Sequence, residues 1–481
     1  MAERKQLNVL ACCVGTRGDV MPGVAICKAL EARGHKAAMA VCAGVEESIC
    51  AYGVRCITVS QIPFKWRDDT AQMSDEEVQI MRRSMDPKEI LKVENCHGVS
   101  WNLDDCMPEA LRGMSNLLEK EHFDVILGTS TTGLACQRLL KKFPHLKIIR
   151  STFSFGFGVP PTSAWPPGGY EMSHGFMNKL NHYHFFLCKL LPFLAGASFT
   201  KREMNRVLEI EGVDHSQGMG FFAAHSKLPM LGFWSESLQE RPQDFAENIL
   251  VTGCLFTPQL RDWTPSPALQ TFVQTLDSKG RKPLVLSFGS MMGVQKVEQA
   301  VLEAARCMGL NVVWCRERQP QNERATWGFT PSNAEEGASP THGVFEAQYV
   351  PFDWLLPQAS VVVCHGGAGT VFSSLREGVP VVICPIISPI IADQIVHAEF
   401  VERKQLGAWL RPLWPGSAEC QAAVQRALGC ADACAELREK LRQEDGAANA
   451  AAAIETFALE QKPLPTCFSW LRKWFKLFRS G

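Results

Sequence analysis

Short apolar runs of strand length recur along the chain, and segments with helical spacing separate them. The runs cover residues 7–14, 36–42, 123–129 and 147–153 in the first half, and residues 283–288, 311–315, 361–364 and 381–385 in the second. Runs that are apolar at nearly every position are typical of strands buried on both faces of a parallel sheet. Their alternation with helices predicts the α/β class, in which ligands bind at the carboxyl ends of the strands.

The first apolar run ends in a polar loop that contains two glycines. This loop consists of Gly15, Thr16, Arg17, Gly18 and Asp19. A helix is predicted over residues 22–33, since proline stands at its start and glycine follows its end. Because the glycines do not have GxGxxG spacing, the dinucleotide-binding fingerprint is absent. The loop nevertheless lies where a parallel sheet places its ligands.

The length of 481 residues exceeds what one hydrophobic core usually organises, so two domains are expected. The polar, proline-containing stretch within 231–256 is typical of an interdomain linker. The predicted organisation is a first domain over 1–235, a linker over 236–260, a second domain over 261–445, a helix over 446–460 and a separate tail over 461–481. Residues 318–341 lack periodicity and are predicted to form a surface loop.

Composition and charge argue against several classes of function and location. A net charge of −1 gives no general basic field for nucleic acid. The 19 cysteines are scattered and odd in number, which favours reduced thiols in a cytosolic protein. The first residues lack the apolar core of a signal peptide, and no apolar run reaches the ~18 residues that a spanning helix needs. We therefore expect a cytoplasmic protein.

The most informative stretch is a glycine-rich turn after the strand at 361–364. It contains His365, Gly366, Gly367, Ala368, Gly369 and Thr370. The amides of such a turn and the N-terminus of the following helix form an anion site, and the ring N–H of His365 can meet a phosphate oxygen. After the next strand, Asp393 and Gln394 can hold sugar hydroxyls. The turn alone would indicate only a tight bend, but the combination favours a nucleotide-sugar site.

These residues carry a resemblance to a known family. Residues 350–358, 365–370, 374–380 and 393–394 resemble the donor-binding motif of UDP-dependent glycosyltransferases, and within them that of the sterol 3-β-glucosyltransferases. The resemblance extends to the first loop and the 231–256 crossing, and is weak over residues 60–200. It implies the GT-B fold, with two Rossmann-like parallel-sheet domains facing a central cleft. It also implies that the last helix crosses back onto the first domain.

The resemblance further implies roles for individual residues. Asp19 corresponds to the family's general base, although Thr16 stands where the family has serine. The alternative for Asp19 is a helix N-cap. Donor binding falls to Ser290, Val350, His365, Gly366, Gly367, Ala368, Gly369, Thr370, Asp393 and Gln394. The expected reaction is inverting transfer of a hexose, glucose first, from a UDP-sugar to an apolar hydroxyl acceptor such as a sterol, without metal or other cofactor.

Alternatives of other kinds remain open at this point. One is a glycosyltransferase for another lipid or for a small aromatic or polyketide-like acceptor, and another is a noncatalytic nucleotide-sugar or lipid-binding protein. A nonhydrolysing nucleotide-sugar epimerase shares the architecture. The loop at 386–392 is longer and more apolar than in the family, which leaves the sugar open. Residues 151–169, rich in Phe, Gly and Pro, form either a packing loop or an apolar acceptor mouth.

The tail has its own pattern. Between 467 and 479, four basic residues fall on one side of a helical projection and seven aromatic or leucine residues on the other. This profile is typical of a helix lying in a membrane interface, and a terminal helix docked on the protein is the alternative. We expect a peripheral membrane contact through these residues. Cys467 is a candidate for acylation that no sequence signal establishes.

Overall fold

A computed structural model describes most of the chain. The described ranges are 5–64, 66–68, 99–101, 103–153, 175–185, 228–260, 263–291, 294–316, 343–347, 350–386, 393–411 and 415–459. Several sequence-based predictions lie outside these ranges, namely the loop at 318–341, the tail at 461–481, and most of the loops at 151–169 and 386–392. In the described part of the chain, no helix is both long and apolar enough to cross a membrane.

Within the described residues the strands form two separate parallel sheets and one short antiparallel pair. The first sheet has the order β3-β2-β1-β6-β7-β8-β9. Its members are β1 (Asn8–Cys13), β2 (Lys36–Cys42), β3 (Arg55–Ser60), β6 (Val125–Gly128), β7 (Lys147–Thr152), β8 (Met230–Gly232) and β9 (Ile249–Val251). The short pair joins β4 (Trp66–Asp68) to β5 (Val99–Trp101).

The second sheet has the order β12-β11-β10-β13-β14-β15. It contains β10 (Leu284–Ser287), β11 (Val312–Cys315), β12 (Val344–Ala347), β13 (Val361–Cys364), β14 (Val381–Ile383) and β15 (Gly407–Trp409). In both sheets the order reverses between two adjacent central strands, β1 and β6 in the first and β10 and β13 in the second. Such a switch point opens a crevice at the carboxyl ends, because the chain leaves the two strands in opposite directions.

Helices surround both sheets. They span Arg17–Ala32 (α1), Glu46–Cys50 (α2), Leu103–Lys120 (α3), Ser130–Cys136 (α4), Leu139–Lys142 (α5), Gly175–Phe185 (α6), Pro267–Asp277 (α7), Gln295–Cys307 (α8), Phe352–Leu355 (α9), Ala368–Arg376 (α10), Gln394–Arg403 (α11), Ser417–Leu428 (α12), Ala431–Leu441 (α13) and Gly446–Leu459 (α14). Their apolar faces cover the sheets, so strands such as β1 are buried on both sides, with Val9 in one core and Leu10 in the other.

The first helix differs from its prediction. It begins at Arg17 instead of residue 22, and Pro22 lies inside it. The reason is that the backbone N–H of Asp19 donates to the carbonyl of Thr16 and the Asp19 carboxylate accepts the N–H of Thr16, which closes a helical turn before the proline. Asp19 is therefore the third residue of α1 and not the N-cap of a later helix.

The chain passes between the two sheets twice. The predicted linker at 236–260 contains the edge strand β9, so the first sheet extends to Val251 before the chain crosses to the second. At the other end of the chain, α14 packs against α1 of the first unit. There the Glu455 carboxylate accepts two hydrogen bonds from Arg33, and the carbonyl of Phe457 accepts one from Lys147. The described C-terminal helix thus lies on the first sheet's layer.

Candidate active site

A cavity of about 390 Å³ lies between the two sheets, at the carboxyl ends of their central strands. The loops that follow β1, β6, β10 and β13 all line it. These are the strands that flank the two switch points, which explains why the topology places the opening there. The lining contains every site residue predicted from the sequence except Gly366: Gly15, Thr16, Arg17, Gly18, Asp19, Ser290, Val350, His365, Gly367, Ala368, Gly369, Thr370, Asp393 and Gln394.

The first loop holds the carboxylate of Asp19 in a defined position. Its Oδ2 atom accepts the backbone N–H of Thr16 at 2.8 Å and lies 3.3 Å from the Thr16 hydroxyl. The carboxylate also folds back over Gly15, because a Cβ at that position would be 2.3 Å from Oδ2. The glycine therefore makes room for the acid, and the threonine orients it.

The electrostatic surroundings make Asp19 a stronger base than an ordinary aspartate. Burial raises the pKa of Asp19 to about 6, against the hydrogen bonds from Thr16 and with a smaller contribution from the Asp393 carboxylate. The last contribution comes from the second sheet's unit, so two carboxylates face the same cavity from opposite sides. A carboxyl group with its pKa near neutrality has the proton affinity that suits a general base.

The glycine-rich turn has a geometry that only glycine permits at its centre. Gly366 has a φ of +97°, and a Cβ there would be 2.6 Å from Ile383 Cγ2. A Cβ at Gly367 would be 2.5 Å from Nε2 of His365. Helix α10 begins directly after Gly367, so its free N–H groups point toward the cavity, as expected of an anion site.

His365 lies at the mouth of this turn as a neutral ring. Burial, together with the nearby His397, lowers its pKa to about 4. Its Nδ1 atom is buried and has no hydrogen-bond partner among the described residues. Because His365 lines the cavity beside a helix N-terminus, its neutral imidazole can donate to, or accept from, a ligand that enters there.

Asp393 and Gln394 open α11 on the far side of the turn, but they do different things. Asp393 lines the cavity, and its Oδ2 atom is 3.7 Å from Nε2 of His397. The side chain of Gln394 is almost entirely buried, and its Oε1 atom accepts the backbone N–H of Ile386 at 2.7 Å. Part of the predicted sugar-binding capacity of Gln394 is therefore used to hold the chain that leaves β14.

Other residues at the site were not singled out from the sequence. Arg376, at the end of α10, lines the cavity and places its guanidinium 4.2 Å from the ring centroid of Phe256, which belongs to the crossing after β9. His397 lies beneath the turn, and its Nδ1 atom is 2.7 Å from the carbonyl oxygen of Gly366. The only sequence signal for His397 is its i,i+4 spacing from Asp393, which puts both on one helix face.

The side chains near the cavity do not form an evident cation site. Across the described ranges, no group of three or more His, Cys, Asp or Glu residues is arranged to hold a metal ion. The cysteines in the same ranges are free, and most are buried.

Two parallel sheets with a shared cleft at their carboxyl ends define the GT-B class of fold. Solved structures of this kind superpose on nearly the whole chain. The glycotransferase of kitacinnamycin has a TM-score of 0.60 at 19% identity and covers 94% of this chain and 99% of its own. CalG4, the calicheamicin glycosyltransferase, has a TM-score of 0.56 at 18% identity, covering 94% and 98%. The spinosyn rhamnosyltransferase SpnG complexed with thymidine diphosphate has a TM-score of 0.51 at 16% identity, covering 94% and 99%.

Comparison with known sequences shows which glycosyltransferases the chain is similar to. Residues 9–98 match the glycosyltransferase family 28 N-terminal domain, and residues 331–456 match the C-terminal domain of erythromycin biosynthesis protein CIII-like proteins. The chain is similar to the sterol 3-beta-glucosyltransferases of Emericella nidulans, at 27% identity over 93% of this chain, and Aspergillus terreus, at 26% over 94%. The chain spans about 30% of the length of these relatives. The family resemblance predicted from the motif residues is confirmed.

Proposed function

We propose that this protein transfers a hexose, glucose first, from a UDP-sugar to the hydroxyl of an apolar acceptor such as a sterol. The observation that carries the proposal is the meeting of Asp19, His365 and Asp393 at one cavity between the two sheets. Each has a chemical environment that suits its part in such a transfer. The similarity to sterol 3-beta-glucosyltransferases supports the choice of reaction.

The second sheet's unit would hold the donor. The diphosphate fits the N–H groups at the start of α10, with neutral His365 beside it and Ser290 and Thr370 on the same wall. Dipoles fixed before the reaction stabilise the charge that develops on the leaving diphosphate. The Asp393 carboxylate would accept hydrogen bonds from the sugar hydroxyls. The thymidine diphosphate bound in the structure of SpnG supports a nucleoside diphosphate as ligand of this fold.

The first sheet's unit would bind the acceptor and provide the general base. The acceptor hydroxyl gives its proton to the Asp19 carboxylate while its oxygen bonds to the anomeric carbon. The bond between that carbon and the diphosphate oxygen breaks, and UDP leaves with the electron pair. Attack from the face opposite the leaving group inverts the configuration, so an α-linked donor yields a β-linked product. No step requires a metal ion, and a chelator such as EDTA should leave the rate unchanged.

The cavity wall around the base is suited to an apolar acceptor. On the first sheet's side it includes several aromatic and aliphatic side chains, namely Phe64, Phe153, Phe233 and Leu255. Burying apolar area of a sterol against them stabilises its complex by roughly 25 cal/mol per Å². This wall favours a lipid over a polar acceptor.

The test is incubation with labelled UDP-glucose and a sterol, followed by product analysis. Wild-type protein should form a β-glucoside, and Asp19→Asn should lose transfer while binding UDP with nearly normal affinity. Parallel reactions with other membrane lipids and with small aromatic alcohols identify the acceptor class. UDP binding without transfer or hydrolysis for any acceptor would favour a noncatalytic binder. Turnover that persists in Asp19→Asn would place the base elsewhere.

We also propose that the tail at 461–481 brings the protein to the membrane that contains its acceptor. Residues 467–479 combine basic and aromatic residues at helical spacing, a sequence pattern that suits the surface of an anionic membrane, where an apolar acceptor resides. Deletion of residues 462–481 should lower binding to vesicles that contain phosphatidylserine, and less so to neutral vesicles. Equal binding of the full chain and the deletion variant would reject this anchor.

A further inference from the structure

Arg376 is a charged side chain at the cavity that the proposed chemistry does not use. It is the last residue of α10, it is half-buried, and it lines the cavity. Its buried Nε atom has no hydrogen-bond partner among the described residues, and none of their carboxylates pairs with its guanidinium. The adjacent carboxylate, that of Glu377, pairs with Arg442 instead. A guanidinium has five N–H donors, so this one is available to the oxygen atoms of a ligand.

The aromatic ring of Phe256 fixes the plane of this guanidinium. The Cζ atom of Arg376 lies 4.2 Å from the ring centroid, which is a close cation–π contact. A guanidinium that stacks by its face keeps its N–H donors in its own plane, at the edge. Phe256 also lines the cavity, from the crossing after β9. The stack therefore holds a flat set of donors at the cavity wall.

The cavity follows α10 from its first turn to its last. Gly369, Ser373 and Arg376 all line it, and their spacing of four and three residues places them on one face of the helix. A rise of about 1.5 Å per residue puts Arg376 about 12 Å from the first residue of α10. A ligand whose phosphate binds at the start of α10 and which extends along this face therefore reaches Arg376.

A nucleotide-sugar has its diphosphate between the sugar and the nucleoside. In the proposed function the sugar lies against Asp393 and the diphosphate at the start of α10, so the nucleoside extends along α10 on the other side. We infer that Arg376 is a nucleoside-binding residue, whose N–H groups donate to oxygen atoms of the ribose or of the pyrimidine. The inference rests on the proposed function, because the place of the diphosphate is taken from it.

Arg376→Met tests the inference, because methionine still packs against Phe256 but has neither charge nor N–H donors. UDP and 2′-deoxy-UDP are titrated by calorimetry, and inorganic pyrophosphate, which has no nucleoside, is measured as a competitor of UDP. UDP should bind about 10- to 100-fold more weakly, because hydrogen bonds to a charged group are lost. Pyrophosphate should change by less than about twofold. A loss for UDP alone assigns the contact to the 2′-hydroxyl, and equal losses for both nucleotides assign it to another nucleoside oxygen.

Two further variants separate this contact from charge and from stacking. Arg376→Lys keeps the positive charge but not the flat set of donors, so it should also bind UDP more weakly than wild type. Arg411→Met is the matched control, because Arg411 stacks on Trp409 at 4.6 Å in the same unit, outside the described lining of the cavity. It should bind UDP like wild type. Thermal unfolding checks that each variant folds.

Different outcomes overturn different statements. UDP binding within about twofold of wild type in Arg376→Met would reject the inference. Equal losses for UDP and pyrophosphate, or wild-type UDP affinity in Arg376→Lys, would show an effect of charge or of folding and would also reject it. Wild-type protein that does not bind UDP would reject the proposed function, and the inference with it. Wild-type protein that binds UDP but transfers no hexose would reject the proposed reaction, while the Arg376→Met comparison still decides the nucleoside contact.

Discussion

The Oδ2 atom of Asp19 would lie 2.3 Å from a Cβ atom placed on Gly15, so the residue that lacks a side chain determines where the acid can be. Gly15→Ala should therefore push the carboxylate out of the position that the Thr16 N–H holds. A positioned general base contributes about 10²- to 10⁴-fold, so kcat for transfer should fall by at least about 100-fold. UDP affinity should change little, because the glycine turn lies on the other sheet's unit.

Gly18→Ala is the matched comparison for this variant. The nearest atom to a Cβ at Gly18 is the Thr16 hydroxyl oxygen, at 3.9 Å, which is ordinary contact. Its effect on kcat should therefore be much smaller than that of Gly15→Ala. Similar losses in both variants would mean that loop flexibility, and not the position of the carboxylate, limits the reaction.

The rate should depend on pH through Asp19. Burial and, to a smaller extent, the Asp393 carboxylate raise its pKa to about 6, and only the deprotonated form accepts a proton. In the free enzyme, log kcat/KM should fall with a slope of one below about pH 6. Asp393→Asn removes the neighbouring negative charge, so the fall in log kcat/KM should begin at a lower pH in that variant, even though its rate is lower. If the fall begins at the same pH in both proteins, the two carboxylates do not interact.

The same raised pKa makes the folded protein less stable as the pH rises. A carboxyl whose folded pKa lies above its unfolded value binds its proton more tightly in the folded state, so its contribution is complete below about pH 4 and is lost as the pH rises through about 6. Asp19→Asn carries no charge at any pH. Its melting temperature relative to wild type should therefore be higher at pH 8 than at pH 4, measured by calorimetry. A constant difference would contradict the buried, shifted carboxyl.

Local sequence signals predicted the sheets better than the starts of the helices. The strand at 36–42 has the predicted bounds, because its continuous apolar run follows Lys36 and stops just before the turn at Gly44. The start of α1 was wrong because proline is a strong helix-start signal. What overrides it is the contact between Asp19 and Thr16, which places the proline in the second turn, where it cannot donate to the carbonyl of Gly18.

The candidate site was predicted as far as the motif extended. Glycine-rich turns leave a recognisable spacing in the sequence, and the resemblance of the two turns to a family motif is why Asp19 and His365 were proposed as site residues. Contacts between distant segments leave none. The burial of Gln394 against Ile386 and the stacking of Arg376 on Phe256 depend on how β14 and the crossing after β9 pack, which no local pattern encodes.

The glycine turn offers a second steric test. A Cβ at Gly367 would be 2.5 Å from Nε2 of His365, so Gly367→Ala should displace the ring from the mouth of the anion site. Loss of one preorganised donor to a developing anion costs about 100-fold or more, so kcat should fall to near the level of His365→Ala. The combined variant should be little worse than either single one. Full activity in Gly367→Ala would mean that the ring of His365 does not contact the donor.

The contact between the C-terminal helix and the first unit should be a large contribution to stability. The Glu455 carboxylate is 8% exposed and accepts hydrogen bonds at 2.7 Å from both Nε and Nη2 of Arg33, with Nε2 of His35 also at 2.7 Å. Removing one partner of a buried pair costs about 3 kcal/mol, so Glu455→Ala should lower the free energy of unfolding by about that amount in urea titrations. Glu303→Ala is the control, because it breaks a solvent-exposed pair with Arg306, and exposed ion pairs contribute little to stability. If both variants lose the same small amount, α14 is held by its alanine face alone.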